Sequence, residues 1–150
     1  MFTAEEFSIL CSAECYEAVK ANIDRKPTDI ALDRRIPHAS IVATQVKNLQ
    51  KCRTKLPSYF AVQAIVPTLA YEQSSSEETA AHKRGEGAHC LDLTCGLGVD
   101  AYYLSKRFAR VTTVERDEVL AAIARENFRR LGATNIEVVC GPAEEVVAAA

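Results

Sequence analysis

The stretch CLDLTCGLGVDAYYLSKRF, Cys90 to Phe108, followed by ARVTTVERD, Ala109 to Asp117, decides how the chain is read. The apolar run ending near Asp92 reads as a strand, Gly96 and Gly98 as a turn, and Val99 to Phe108 as a helix. The two glycines mark a backbone that turns sharply and admits a ligand where a side chain would block it. On that reading a valine at Gly98 occludes the ligand and leaves the protein folded. A second strand, Val111 to Val114, ends at Glu115, whose carboxylate is placed to accept both hydroxyls of a ribose. The stretch is therefore expected to form a nucleoside-binding βαβ half.

GLGVDA also satisfies the G-x-G-x-x-A form of the dinucleotide fingerprint, so the choice of nucleoside rests on the flanking charges. Asp92 precedes the glycine turn and Asp100 falls in the first turn of the helix. Two carboxylates there oppose a pyrophosphate, which needs positive potential. They suit a ligand bearing an ammonium and a sulfonium, which Asp92 can attract directly or through water. S-adenosylmethionine is favoured over NAD, and an NAD-dependent oxidoreductase is the disfavoured reading.

These residues carry a family likeness. DLTCGLGVD (Asp92 to Asp100), VERD (Val114 to Asp117) and NIEVVCGPAEE (Asn135 to Glu145) resemble motif I, the acidic ribose motif and the third-strand motif of class I S-adenosylmethionine-dependent methyltransferases. EQSSSEETAAHK, Glu72 to Lys83, is similar to the segment before motif I in bacterial methyltransferase-like proteins that carry a THUMP-like domain. It is more loosely similar to the EQ-x-x-T segment of several RNA methyltransferases, and KCRTKLP, Lys51 to Pro57, extends the likeness weakly.

The resemblance implies an α/β, Rossmann-like doubly wound parallel sheet, here incomplete, preceded by an α-helical region. It implies S-adenosyl-L-methionine as cofactor and methyl transfer, with RNA as acceptor. Thr94, Gly96 and Gly98 then belong to the cofactor turn, with Asp92 and Asp100 beside it and Glu115 on the ribose. Gln73, Ser76 and Thr79 come from the preceding segment, where the two hydroxyls and a helix N-terminus would hold the methionine carboxylate. Without the likeness, an ordinary capped helix is the favoured reading of that segment. The family's Gly-Asp-Ala after the third strand reads Gly141-Pro142-Ala143 here, which removes an aspartate that takes the adenine amino group. The Ala143 amide and Arg116, beside Glu115, are the remaining adenine contacts. A fourth-strand target motif of the Asp/Asn-Pro-Pro-aromatic kind is absent, so no catalytic residue is nominated. The chain is expected to be the N-terminal portion of a longer enzyme, inactive alone; a non-catalytic S-adenosylmethionine- or RNA-binding module is the alternative.

The 150 residues suit one domain's worth of core, at net charge -2. No run of eighteen apolar residues occurs, and Glu5 and Glu6 stand where a signal peptide is basic, so a cytoplasmic protein is expected. Six cysteines without a CxxC or a histidine cluster indicate neither zinc nor disulfides.

Three stretches are expected from organisation: a helical region over 1–56, a connector with a short helix over 57–87, and the Rossmann-like part over 88–150. Thr3 and Glu6 stand in capping-box relation ahead of one amphipathic helix reaching Asn22. Pro27 breaks the chain before a short helix at Asp29 to Arg35, and Ser40 caps a third helix reaching Arg53. From Arg34 to Tyr71 the chain holds Arg34, Arg35, Lys47, Lys51, Arg53 and Lys55 and no acid. This 34–55 stretch reads equally as an RNA-collecting patch and as a solvated helix face.

Overall fold

A computed structural model describes residues 2–149. The N-terminal region is helical, with α1 at Ala4–Leu10 and α2 at Ala13–Ala21. The Thr3–Glu6 capping box forms in both directions, at 3.0 and 3.1 Å. The single long helix expected to reach Asn22 is instead two. Ser12 leaves helical geometry, and its hydroxyl caps α2 by accepting from the Cys15 amide at 3.2 Å. Pro27 opens α3, Pro27–Ala31, rather than preceding a helix at Asp29, because a proline at the first helical position sacrifices an amide that has no partner anyway.

Next comes α4, Ala39–Lys55, the longest helix. Ser40 does not cap it; His38 occupies that position in the left-handed region, at φ 52°. Two short helices follow, α5 at Pro57–Ala61 and α6 at Thr68–Gln73, so the connector is more regular than its prolines suggested. Between them runs a fully buried irregular segment, Ala64–Val66. A buried loop must find partners for its backbone, and amide side chains supply them here. Gln45 on α4 donates to Ala64 O at 2.7 Å and accepts from the Val66 amide at 3.1 Å. From the opposite side Asn127 accepts from the Ile65 amide and donates to its carbonyl, both at 2.8 Å.

The α/β part begins after α7, Glu77–Ala81, with β1 at Gly87–Asp92, α8 at Val99–Leu104 and β2 at Phe108–Glu115. It continues with α9 at Glu118–Leu131, β3 at Ile136–Cys140 and α10 at Ala143–Ala149. The strands form one parallel sheet in the order β1-β2-β3, with Leu91 opposite Thr112 and Thr113 opposite Val138. Parallel strands need crossovers, and α8 and α9 provide them. Asp117 caps α9 at Leu120 and Gly132 closes it in the left-handed conformation.

One core spans the three stretches. Leu10, Val19, Ile30, Val42 and Leu49 of the helical region pack in one continuous cluster with Leu97, Val99, Leu120 and Ile123 of the α/β part. Each fully buried Leu, Ile or Val contributes roughly 1.5–3 kcal/mol relative to exposure. A second cluster, including Ala101, Val111, Ala124, Phe128 and Val138, lies against the sheet. At the outer edge, β1 pairs only with β2 among the described residues, and Leu91 and Leu93 are 40% and 44% exposed.

Candidate functional site

The C-terminal ends of β1 and β2 open onto a cleft of about 390 Å³, walled on the far side by α6 and the residues after it. Of the residues singled out from sequence, Gln73, Thr94, Gly96, Gly98, Asp100 and Glu115 line it. This is where parallel α/β sheets place ligands, outside the carboxyl ends of their strands.

The two glycines differ in what they face. Both are left-handed, Gly96 at φ 54° and Gly98 at φ 85°. A Cβ added to Gly96 would meet nothing within 4 Å, so this glycine leaves the space a ligand can enter. A Cβ on Gly98 would lie 2.6 Å from Phe128 Cζ and 3.5 Å from the Tyr59 hydroxyl. Gly98 is therefore required by the packing behind the turn, which corrects the expectation that valine there blocks a ligand in a folded protein.

Glu115 closes the cleft at the end of β2. Its Oε1 accepts from the Gly96 amide at 3.2 Å and its Oε2 from the Asp117 amide at 2.9 Å. Asp92 stands behind the lining rather than in it. Its Oδ2 accepts from the Thr113 hydroxyl at 2.8 Å and its Oδ1 from the Thr94 amide at 3.4 Å. Burial pushes its carboxyl above the usual aspartate range, against those two hydrogen bonds, and the nearby Asp100 adds to the rise. Asp100 Oδ1 is buried with no hydrogen-bond partner among the described residues, while Oδ2 lies 3.9 Å from Lys83 Nζ. A buried acceptor left open beside a cleft fits a donor on a ligand.

Other expected contacts lie elsewhere. The Ser76 hydroxyl caps α7 by accepting from the Thr79 amide at 3.1 Å, and donates to the Thr79 hydroxyl at 2.9 Å. Neither residue lines the cleft; Ser74 and Ser75, just ahead of the helix, do. Arg116 extends into solvent toward Glu144, 3.7 Å away, with both side chains largely exposed. Ala143 starts α10 and is also outside the lining. Sequence reasoning missed Leu69 and Ala70 of α6 and Leu120 of α9, which give the cleft its apolar wall. The signal available was the apolar run ahead of Glu72, whose side facing the cleft depends on how α6 docks.

Among the described residues, no group of three or more His, Cys, Asp or Glu is placed to hold a metal. Nor is any helix among them long and apolar enough to cross a membrane. The Cys52 and Cys95 thiols are pushed up to about 12 by burial, so they are packing groups at neutral pH.

With this geometry the comparisons agree in kind. Residues 90–150 match the methyltransferase domain family. Over 74 residues the chain is 35% identical to a protein-L-isoaspartate O-methyltransferase of Magnetococcus marinus, covering 49% of this chain and 32% of that protein. Over 49 residues it is 43% identical to ribosomal RNA small subunit methyltransferase J of Alteromonas mediterranea, covering 33% and 19%. The chain thus spans at most about a third of the length of these curated relatives. A solved structure from Porphyromonas gingivalis W83, assigned provisionally as a methyltransferase, superposes on 99% of this chain and 38% of its own at TM-score 0.79 and 29% identity. The parallel sheet with its flanking helices is the Rossmann-like fold of the methyltransferases.

Proposed function

We propose that this chain binds S-adenosylmethionine in the cleft between α6 and the glycine turn, as the cofactor-binding part of a methyltransferase acting on RNA. The observation that carries the reading is the buried, unpartnered Asp100 Oδ1 beside a turn whose Gly96 leaves open space. A cationic amino-acid moiety satisfies that acceptor; a pyrophosphate is repelled by it and by Asp92. Glu115 has lone pairs left after its two backbone bonds and takes the ribose hydroxyls. Leu69, Leu120 and Val99 offer an apolar surface for the base. The bound cofactor supplies a methyl group on a sulfonium, a good leaving group, so the protein's task is to bind and orient it. No described residue is assigned to the acceptor or to catalysis. The likeness to proteins with a THUMP-like domain and a cytoplasmic location belong to the same proposal.

RNA is preferred as acceptor because the ribosomal RNA methyltransferase is among the relatives and because α4 carries a lysine stripe. Arg35 and Arg53 are paired with Asp33 and Asp24. Arg34 and, one helical turn apart on α4, Lys47, Lys51 and Lys55 have no ion pair among the described residues; Lys51 and Lys55 lie beside the Tyr71 ring at 5.9 and 4.5 Å, and Lys55 also donates to the Tyr71 carbonyl at 2.9 Å. Lysines next to an aromatic ring suit a single-stranded polyanion.

The test is calorimetric titration with S-adenosylmethionine, its demethylated product and NAD, alongside a short single-stranded RNA. Binding of the first two without NAD supports the cofactor reading; NAD affinity alone reverses it to an oxidoreductase. RNA binding that weakens in Lys47→Glu/Lys51→Glu and with added salt supports the acceptor. Cofactor binding with no RNA affinity removes RNA and leaves the non-catalytic cofactor module or another acceptor.

A further inference from the structure

We infer that Tyr59, outside the Rossmann-like part, is a positioning residue that sets the cofactor turn from behind; the inference rests on the reading of that turn as the S-adenosylmethionine site. Tyr59 lies on α5 and is fully buried. Its hydroxyl donates to the Leu97 carbonyl at 3.1 Å, in the middle of the turn between Gly96 and Gly98. The next amide, that of Gly98, donates to Cys95 O at 2.8 Å. A peptide unit is planar, so the Leu97–Gly98 peptide is held at both its ends, one of them, among the described residues, by Tyr59 alone.

The same short helix also holds the element that follows the turn. The Ser58 amide and hydroxyl donate to the buried Glu77 carboxylate at 2.8 and 3.0 Å, and the Tyr103 hydroxyl on α8 donates to it at 3.0 Å. The Tyr59 ring meets the Tyr102 ring edge to face, with centroids 6.2 Å apart. Adjacent residues of α5 thus fix the turn and the helix that continues it. Burial keeps the Tyr59 phenol far above its ordinary titration range, so the hydroxyl remains a donor at any working pH. The Gly96 amide, one residue before Leu97, is spent on Glu115. The turn is therefore held by one side chain that lines the cleft and one that does not.

The experiment uses Tyr59→Phe in the full chain, which keeps the ring and removes only the donor. Two readouts are taken: backbone amide exchange across Cys95 to Val99, and the dissociation constant for S-adenosylmethionine. Faster exchange confined to the turn, with affinity reduced about tenfold, the scale of one lost hydrogen bond, is expected. Val46→Ala, which opens a cavity on α4 and removes no hydrogen bond of the turn, serves as the control: it is expected to lower thermal stability and leave turn exchange and affinity in place. Wild-type exchange and affinity in Tyr59→Phe overturn the inference, as does a Val46→Ala variant that loosens the turn equally. If the unaltered chain binds no S-adenosylmethionine, the functional reading fails, and the exchange result still decides whether Tyr59 sets the turn.

Discussion

The Glu115 carboxylate accepts a hydrogen bond from the Gly96 amide at 3.2 Å, joining the end of β2 to the turn that leaves β1. With the Asp117 amide on its other oxygen, this side chain organises two neighbouring loops before any ligand arrives. A carboxylate offers about four acceptor positions, so two backbone donors leave room for a diol. Preorganisation of this kind lowers the ordering cost of binding.

Replacement of Glu115 by alanine is expected to weaken S-adenosylmethionine binding by roughly 1.5–3 kcal/mol, the range for hydrogen bonds to a charged group. Glu115→Gln, which keeps one acceptor oxygen, should fall between wild type and alanine. Calorimetry on folded variants measures both, and an unchanged affinity in Glu115→Ala would reduce the residue to a loop tie.

Gly96 and Gly98 should separate binding from stability. Gly96→Ala places a methyl in open space and pays only for the left-handed backbone, about 1–2 kcal/mol, while filling part of the cleft. Gly98→Ala adds to the same strain a collision with Phe128, and overpacking of this sort costs a further ~1–3 kcal/mol. Thermal melts with parallel titrations should show Gly96→Ala losing affinity with a modest drop in Tm, and Gly98→Ala losing the fold first. A Gly98→Ala protein as stable as wild type would show that Phe128 can move aside.

The α/β half was legible because each of its signals is local: Asp117 and Gly132 bracket α9, and the glycines sit between an apolar run and a helix. The helical half was legible only in outline. Pro27 was read as a breaker, although the same fixed φ also starts helices, and nothing nearby chooses between the two. Ser12, mid-way along an apparently continuous periodic pattern, gave no sign that it would cap a new helix. An apolar connector packed on the α/β part was legible, but how the backbone of Ala64–Val66 is satisfied there was not, because its partners, Gln45 and Asn127, are 19 and 62 residues away in sequence from the groups they bind. For the site, the turn and Glu115 came from a motif. The wall from α6 and the brace from Tyr59 depend on docking between elements that no spacing encodes.

Glu126 should contribute stability that disappears in acid. Arg129 first, then Arg130, hold its carboxyl down to about 2 from 4.5, against burial. A carboxylate whose folded pKa is depressed stabilises the fold fully above the unfolded value, and the contribution is lost as pH falls toward the folded one. Arg130, whose side chain is 8% exposed, also donates to Gln63 O at 2.6 Å and so ties α9 to the connector. Glu126→Gln is expected to cost on the order of 1–3 kcal/mol near neutral pH, and the difference from wild type should shrink between about pH 4.5 and 2. Denaturant melts across that window measure it; a difference independent of pH would assign the loss to packing.

Asp92 should behave in the opposite sense, and its behaviour bears on the cofactor. Burial raises its folded pKa above the unfolded value, so its ionised form opposes folding. That penalty is absent in acid and grows as pH rises through the folded pKa. Asp92→Asn keeps an acceptor for the Thr113 hydroxyl and removes the buried charge, so it should be neutral or stabilising near pH 7, by up to ~1 kcal/mol. A cation in the cleft favours the ionised aspartate, so S-adenosylmethionine affinity in the wild type should increase as pH rises from the acid range and the raised carboxyl loses its proton. The Asn variant should bind more weakly at neutral pH and lose most of that slope. A site that trades stability for a buried charge behind its cleft produces this pairing of effects. Wild-type affinity that is flat across the acid range, or an Asn variant both less stable and unchanged in binding, would make Asp92 a structural partner of Thr113 and leave Asp100 as the sole carboxylate facing the cation.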